Sequence, residues 1–199
     1  MAHIVLGISG ASGMPLARRT LYWLNALGHE VDLVFSRAAL LTASEELGSH
    51  YGRAQHWIEG LSNVHLYSPN DFTAPFASGS NRRDGMAIVP CSMGSVAAIR
   101  LGLADNLLRR AADVMIKERR PLVLVPRETP LSPIHLENML ELARLGVQIL
   151  PPMPAWYLKP QTLEEVEDAV VGRLFDALGL PADFCMRWKE PLHQELPLS

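Results

Sequence analysis

Two cysteines in 199 residues, Cys91 and Cys185, leave this chain without the material for a disulfide framework or a cysteine-rich zinc motif. With no secretory pattern, both thiols are expected to be reduced. No apolar run approaches the ~20 residues of a membrane helix. Met1-Ala2-His3-Ile4-Val5 opens directly into a strand-like pattern, where a signal peptide would have a basic segment and then an apolar one. A cytoplasmic location and no membrane contact are the expectation. Neither charge dominates: 18 Lys and Arg stand against 21 Asp and Glu, a formal net charge of -3, which argues against a nucleic-acid surface. The seven histidines are scattered, with no pair at ligand spacing on a helix, so no metal is expected. Internal repeats and low-complexity linkers are lacking as well. What is present is 48% hydrophobic residues in a length that suits one globular domain with a sizeable core.

Strand-length apolar runs alternate with longer amphipathic stretches: 3–8, 14–27, 31–35 and 38–47, then 86–89 and two helical stretches within 94–118. The run at Leu122, a helix over 133–145, another run over 147–150 and a helix over 163–178 continue the alternation. This order predicts βαβ units and a parallel sheet, an α/β doubly wound, Rossmann-like, three-layer fold. Ser132 before Pro133 and Thr162 before Glu165 mark helix starts. Leu136, Met139, Leu140 and Ala143 form one apolar stripe and Val166, Val170 and Leu174 another, both read as core. Residues 63–85 are the least regular, and 70–80 read as a long binding loop or lid, with plain disorder as the competing reading. The tail from Pro181 carries Phe184, Met186 and Trp188, apolar residues that dock on their own domain or on a neighbouring subunit.

Four places carry candidate chemistry. Gly7-Ile8-Ser9-Gly10-Ala11-Ser12-Gly13 follows the first strand, and its small residues and free amides at a helix start suit a phosphate. The spacing is not the three-glycine dinucleotide fingerprint, and Ser36 stands where an acidic residue would hold an adenosine ribose, so a mononucleotide is favoured over NAD. Pro90-Cys91-Ser92-Met93-Gly94-Ser95 is either a second polar cradle or simple helix capping by Ser92, and Cys91 reads as a small buried thiol. Arg110 and Lys117 share a helix face with Asp113, either as a solvated ion-pair ladder or as a patch facing an anion. Pro121-Leu122-Val123-Leu124-Val125-Pro126 runs into Arg127-Glu128, which is either a surface ion pair or a reacting pair where open α/β sheets bind their ligands.

Together, Ser9-Gly10-Ala11-Ser12-Gly13, Ala74-Pro75-Phe76-Ala77-Ser78-Gly79-Ser80, Pro90-Cys91-Ser92-Met93, Arg110-Ala111-Ala112-Asp113 and the run from Lys117 through Ser132 to Met139 resemble one family. It is the UbiX-type flavin prenyltransferases, and the resemblance spans nearly the whole chain. It implies a flavin-binding domain over 1–180 with the tail 181–199 docking on it or on a neighbour, and a homododecamer. The implied reaction attaches a dimethylallyl group from dimethylallyl monophosphate to N5 and C6 of reduced FMN. Its product, prenylated FMN, serves UbiD-type decarboxylases, and no metal is implied.

Carried onto this sequence, the resemblance assigns FMN binding to Gly10, Ala11, Ser12, Ser36, Ser92, Met93, Gly94, Ser95 and Arg127. Lys117, Arg127, Tyr157, Arg173 and Trp188 are implied for the prenyl phosphate, with Tyr157 and Arg173 supplied by neighbouring subunits. Ser12, Glu46, Arg110, Lys117 and Glu128 are implied as the catalytic set. Phe76, bulkier than the family's loop motif, and Met14-Pro15 after the first turn depart from the pattern and bear on the lid. Two other readings remain: a flavin-dependent decarboxylase of the related cysteine-decarboxylase group, whose Asn-rich loop and catalytic histidine are not found in the matching loops, and a non-catalytic flavin carrier.

Overall fold

The computed structural model describes residues 1–189, and six parallel strands form its single sheet. In chain order the elements are β1 (His3–Ile8), α1 (Met14–Ala26), β2 (Glu30–Phe35), α2 (Arg37–Leu47), β3 (Val64–Tyr67), β4 (Gly85–Cys91), α3 (Met93–Arg100) and α4 (Leu107–Lys117). β5 (Leu122–Pro126), α5 (Pro133–Arg144), β6 (Gln148–Ile149) and α6 (Leu163–Leu178) complete them. The strands lie in the order β3-β2-β1-β4-β5-β6, so the winding reverses between β1 and β4. In open α/β sheets that reversal opens a crevice at the carboxyl ends of the strands, and it fixes where a ligand sits.

Burial explains the sequence pattern. β4 and β5 are buried at every position, as continuous aliphatic strands of a parallel sheet must be. Along β1 the side chains alternate: Ile4, Leu6 and Ile8 join the core under α1 and α6, while Val5 joins the core under α4. Gly7 lets α4 approach, since a Cβ there would stand 3.2 Å from the Leu108 side chain. Asp168 of α6 ties down α1, accepting from Arg19 Nε and from Trp23 Nε1, both at 2.6 Å.

Three local expectations change. The stretch 63–85 contains a strand, β3, which pairs with β2 through Val31 with Val64 to Val34 with Tyr67. As a half-buried edge strand it lacks the apolar run that marks its neighbours. The loop over 70–80 is built: a 3-10 turn at Pro75–Ala77 sends Phe76 fully into the core, edge-on to Tyr67 at 4.9 Å. On α5, Met139 and Leu142 are buried, but Leu136 and Leu140 of the expected core stripe are each 51% exposed. The helix packs on α3 and the short edge strand β6, and among the described residues its outer face is left exposed. The α6 stripe is core as expected at Val170 and Leu174.

The helix starts fall where the sequence puts them. Ser132 caps α5 by accepting from the His135 amide at 3.3 Å, and His135 Nδ1 accepts in return from the Ser132 amide at 3.2 Å. Pro15 sits in the first turn of α1, where a missing N–H costs nothing. In the tail, Phe184 stacks on Trp23 at 4.1 Å and Trp188 meets Tyr157 edge-on at 4.9 Å, while residues 190–199 lie outside the described part.

Candidate active site

Ser9 joins the two loops at the switch point. Its hydroxyl donates to the Pro90 carbonyl at 3.1 Å and accepts from the Ser92 amide at 2.7 Å, so the turn after β1 and the turn after β4 move as one piece. The sequence held Ser9 inside the glycine-rich motif but assigned it no role, because its importance lies in a partner 81 positions away. Ser92 and Ser36 both cap helices, accepting at 3.2 Å from the amides of Ser95 and Ala39. Capping leaves room for binding: nothing lies within 4 Å of where a Cβ on Gly94 would project, so the first turn of α3 is open to a ligand. Met93 and Ser95 beside it are buried.

The first turn of α1 is arranged differently from the sequence expectation. Its amides are already held by a carboxylate: Glu46, reaching over from α2, accepts from Gly13 N at 3.0 Å and Met14 N at 2.8 Å. Burial alone would push the Glu46 carboxyl up. The Ser12 hydroxyl, the two amides and the Arg127 charge outweigh it and hold the carboxyl below its ordinary value. These contacts bring Ser12, Glu46 and Arg127 together from the ends of β1, α2 and β5. Gly10 is needed for that approach, since a Cβ on it would fall 2.4 Å from the Cβ of Ala38. Ala11 and Ser12 are half-buried, whereas Arg127 and Glu128 are exposed at the end of β5. Glu128 accepts from its neighbour's amide, Thr129 N, at 3.0 Å.

A second group gathers around α4. Arg110 donates through Nε to the Ala77 carbonyl at 3.0 Å and through Nη1 to Asp113 at 2.7 Å, so the ion-pair reading of that helix face is seen at Arg110 and Asp113. Lys117 pairs with Glu118, and Arg120 donates to the Gly79 carbonyl at 2.7 Å. The cations of α4 and its C-terminus thereby hold the loop over 70–80 in place. The sequence missed Arg120 for this purpose, although it stands in the same Lys117-Glu118-Arg119-Arg120 run.

Tyr157, Arg173 and Trp188 come together in a third place, a cavity of about 420 Å³ whose lining includes none of Ser12, Glu46, Arg127 or Glu128. Arg173 is bound there to Asp176 at 3.0 Å. A larger cleft of about 730 Å³ opens beside Ser36, walled by Arg37, Arg53, Tyr67, Asn70 and Asn106. Sequence reasoning passed over Arg53 and Asn106, which no motif marks. Cys91 is fully buried and its thiol is pushed up to about 12 by loss of solvent, which leaves it inert as a nucleophile.

A parallel sheet wound in this order, with small polar loops linked across its switch point and cations at the strand ends, defines a nucleotide-binding α/β protein of Rossmann type. Comparison with known proteins narrows this. The profile of the Flavoprotein family matches residues 1–175. The flavin prenyltransferase UbiX of Chlamydia pneumoniae is 48% identical over 96% of this chain and 100% of its own. The crystal structure of AnUbiX (PadA1) in complex with FMN and dimethylallyl pyrophosphate superposes with a TM-score of 0.88 at 45% identity, covering 95% of this chain and 98% of that one. The dodecameric FMN-dependent UbiX-like decarboxylase from Escherichia coli O157:H7 gives 0.87 at 44% identity, covering 94% and 100%. The chain belongs to the UbiX-type flavin prenyltransferases of the flavoprotein family. The cysteine decarboxylase TvaF, at 13% identity and a TM-score of 0.62, shares the fold alone.

Proposed function

We propose that this protein transfers a dimethylallyl group from dimethylallyl monophosphate to N5 and C6 of reduced FMN, and that the prenylated FMN goes to UbiD-type decarboxylases. The observation that carries the reading is the convergence of Ser12, Glu46 and Arg127 at the switch point, supported by a relative solved with FMN and dimethylallyl pyrophosphate. The residues fit a flavin: the first turn of α3 is open at Gly94, the linked loops offer the hydroxyls of Ser12 and Ser92, Ser36 adds another at the start of α2, and Gly10 and Ala11 keep the first turn low. When bound, reduced FMN supplies the electron-rich ring that accepts the prenyl group.

The protein's part is to hold an anion and move a proton. Arg127 and Lys117 balance the charge of the departing phosphate as its bond to the allylic carbon breaks, a task two cations perform for a monophosphate without a metal. Glu128, beside Arg127, takes up the proton that the prenylated ring releases, and Ser12 and Glu46 orient the groups facing it. Arg110 serves by fixing the Ala77 carbonyl, hence the loop over the site. Tyr157, Arg173 and Trp188, lying in a separate cavity of their own chain, fit residues that complete a neighbour's site. Aromatic faces there would stabilise a developing allylic cation and shield it from water. The exposed α5 face, with Ile134, Leu136 and Leu140, supports assembly, and we take the form to be a homododecamer. Among the described residues no helix is long and apolar enough to cross a membrane, and the buried free thiols suit the cytoplasm.

The test is phosphorus NMR under anaerobic conditions. Release of inorganic phosphate from dimethylallyl monophosphate, dependent on reduced FMN, is the expected result; release of pyrophosphate from the diphosphate ester instead would reassign the donor. No release from either, with loss of carbon dioxide from a C-terminal cysteine peptide, would favour the decarboxylase, and tight FMN binding with neither reaction would favour the carrier.

A further inference from the structure

Away from the switch point, the corner between α2 and β3 gathers three side chains that the proposed reaction does not use. His50 stands on the 3-10 turn Ser49–Gly52, His56 on the turn Ala54–Trp57, and Glu59 just beyond. One ligand atom from each lies within 4.8 Å of the others. No helical spacing relates them; two consecutive turns fold them together, so the sequence did not reveal the cluster.

The hydrogen bonding fixes what the imidazole of His56 presents. Its Nδ1 lies 2.6 Å from the His50 carbonyl oxygen, which can only accept, so Nδ1 carries the hydrogen and a neutral ring turns the Nε2 lone pair toward Glu59. A backbone carbonyl holding the far nitrogen is the usual support for a metal-bound histidine. His56 Nε2 is 3.7 Å and His50 Nε2 is 3.8 Å from the Glu59 carboxylate. Both exceed the ~3.2 Å limit of a good N–H to oxygen bond. Ligands on a tetrahedral ion with bonds of ~2.0–2.2 Å stand roughly 3.3–3.6 Å apart. The two distances, each to a different oxygen of Glu59, lie just above that range, so a small closure of the three side chains would bring them onto one ion.

The frame beneath is firm. Trp57 is buried, donates from Nε1 to the Tyr51 carbonyl at 2.9 Å and packs edge-on against Phe35 at 5.1 Å, which pins one turn to the other and both to the sheet. The two imidazoles are stacked at 3.9 Å, so one ring must turn for both lone pairs to meet a single ion. His50, whose side chain is 55% exposed, has the freedom; His56, held by its hydrogen bond, does not need it. Arg18, the cation in the same cleft, lies over the Tyr51 ring at 4.5 Å.

We infer that His50, His56 and Glu59 form a site for a divalent transition ion of zinc type, with water in the remaining position. Nitrogen and carboxylate ligands in this number suit zinc or copper over magnesium or calcium. The ion would staple the corner that follows α2, the helix carrying Glu46, and it takes no part in the proposed transfer.

Calorimetry of the full chain with zinc sulfate, after chelator treatment, tests this. One zinc per chain is expected, weakened at least about tenfold in His50→Ala and in Glu59→Gln, since even outer-shell partners of a bound metal are worth 10- to 100-fold. Both side chains are exposed, so these variants keep the fold. His65→Ala, which removes another exposed histidine paired with a glutamate, should leave the affinity unchanged. With copper as the probe, paramagnetic resonance should show coupling to two imidazole nitrogens, one of them lost in His50→Ala. Absence of zinc binding in the wild type, or wild-type affinity in both His50→Ala and Glu59→Gln, overturns the site.

Discussion

The carboxylate of Glu46 accepts a hydrogen bond from the backbone amide of Met14 at 2.8 Å, so the positive end of α1 is satisfied from within the protein. A carboxylate at a helix N-terminus gains from the helix dipole as well as from the amides. One consequence is that the Gly13 and Met14 amides are already occupied by a carboxylate, which leaves Ser12 and the backbone before it as the groups at this turn proposed to meet the flavin.

This contact sets a pH dependence. The folded Glu46 carboxyl lies below its ordinary value of 4.5, so its contribution to stability is fully present above pH 4.5 and is lost as pH falls through the lower folded value. Thermal unfolding followed against pH should show a shallower acid decline for Glu46→Gln than for the wild type. Parallel curves would mean that the carboxylate charge does not support the turn.

Gly79 should separate stability from activity. A Cβ there would fall 2.1 Å from Glu118 Oε1 and 2.6 Å from Lys117 Nζ, both ends of flexible side chains that can move. Gly79→Ala is therefore expected to change unfolding free energy by no more than about 0.5 kcal/mol. It should raise KM for the prenyl phosphate several-fold by displacing Lys117. An unchanged KM would detach Lys117 from phosphate binding.

The β1, β4 and β5 strands and the cap residues were legible in the sequence because each depends on neighbours close in the chain. Arg127 and Glu128 stood out as charges ending a buried run and Ser12 lay in the small-residue turn, but Glu46 was reached only through resemblance, since no local pattern tells that α2 bends Glu46 onto the turn after β1. β3 and the outward face of α5 were misread for a related reason. A half-buried edge strand looks like loop, and an apolar stripe reads as core whether its cover comes from the same chain or another.

Docking of the tail rests on Gly172. A Cβ at this α6 position would meet Cys185 Sγ at 2.1 Å and Cys185 Cβ at 2.9 Å, and the second of these is tied to the backbone. Overpacking of this kind costs about 1–3 kcal/mol. Gly172→Ala should lower stability by that amount in urea, and should increase proteolytic cleavage near Trp188. Equal cleavage of the two proteins would mean that the tail is held elsewhere.

Arg83 and Asp32 form a buried ion pair at 2.5 Å, both less than a tenth exposed, that anchors the end of the loop over the site. Removing one partner leaves a buried charge, and Arg83→Met should cost about 3–5 kcal/mol. The double substitution Arg83→Met with Asp32→Leu should cost less than Arg83→Met alone. Asp32 also has His3 Nε2 at 3.0 Å, so a double variant less stable than the single one would show that this second contact outweighs the relief of the buried charge.

The end of β5 is proposed to join a prenyl group to a flavin. The most direct test is the mass of the flavin extracted after anaerobic incubation of the protein with reduced FMN and dimethylallyl monophosphate. A gain of one C5H8 unit is expected in the wild type; Glu128→Gln is expected to stall after the first bond, with a singly alkylated flavin of the same mass whose absorption spectrum differs from that of the ring-closed product. Flavin of unchanged mass from the wild type, or full conversion by Glu128→Gln, would contradict the proposal.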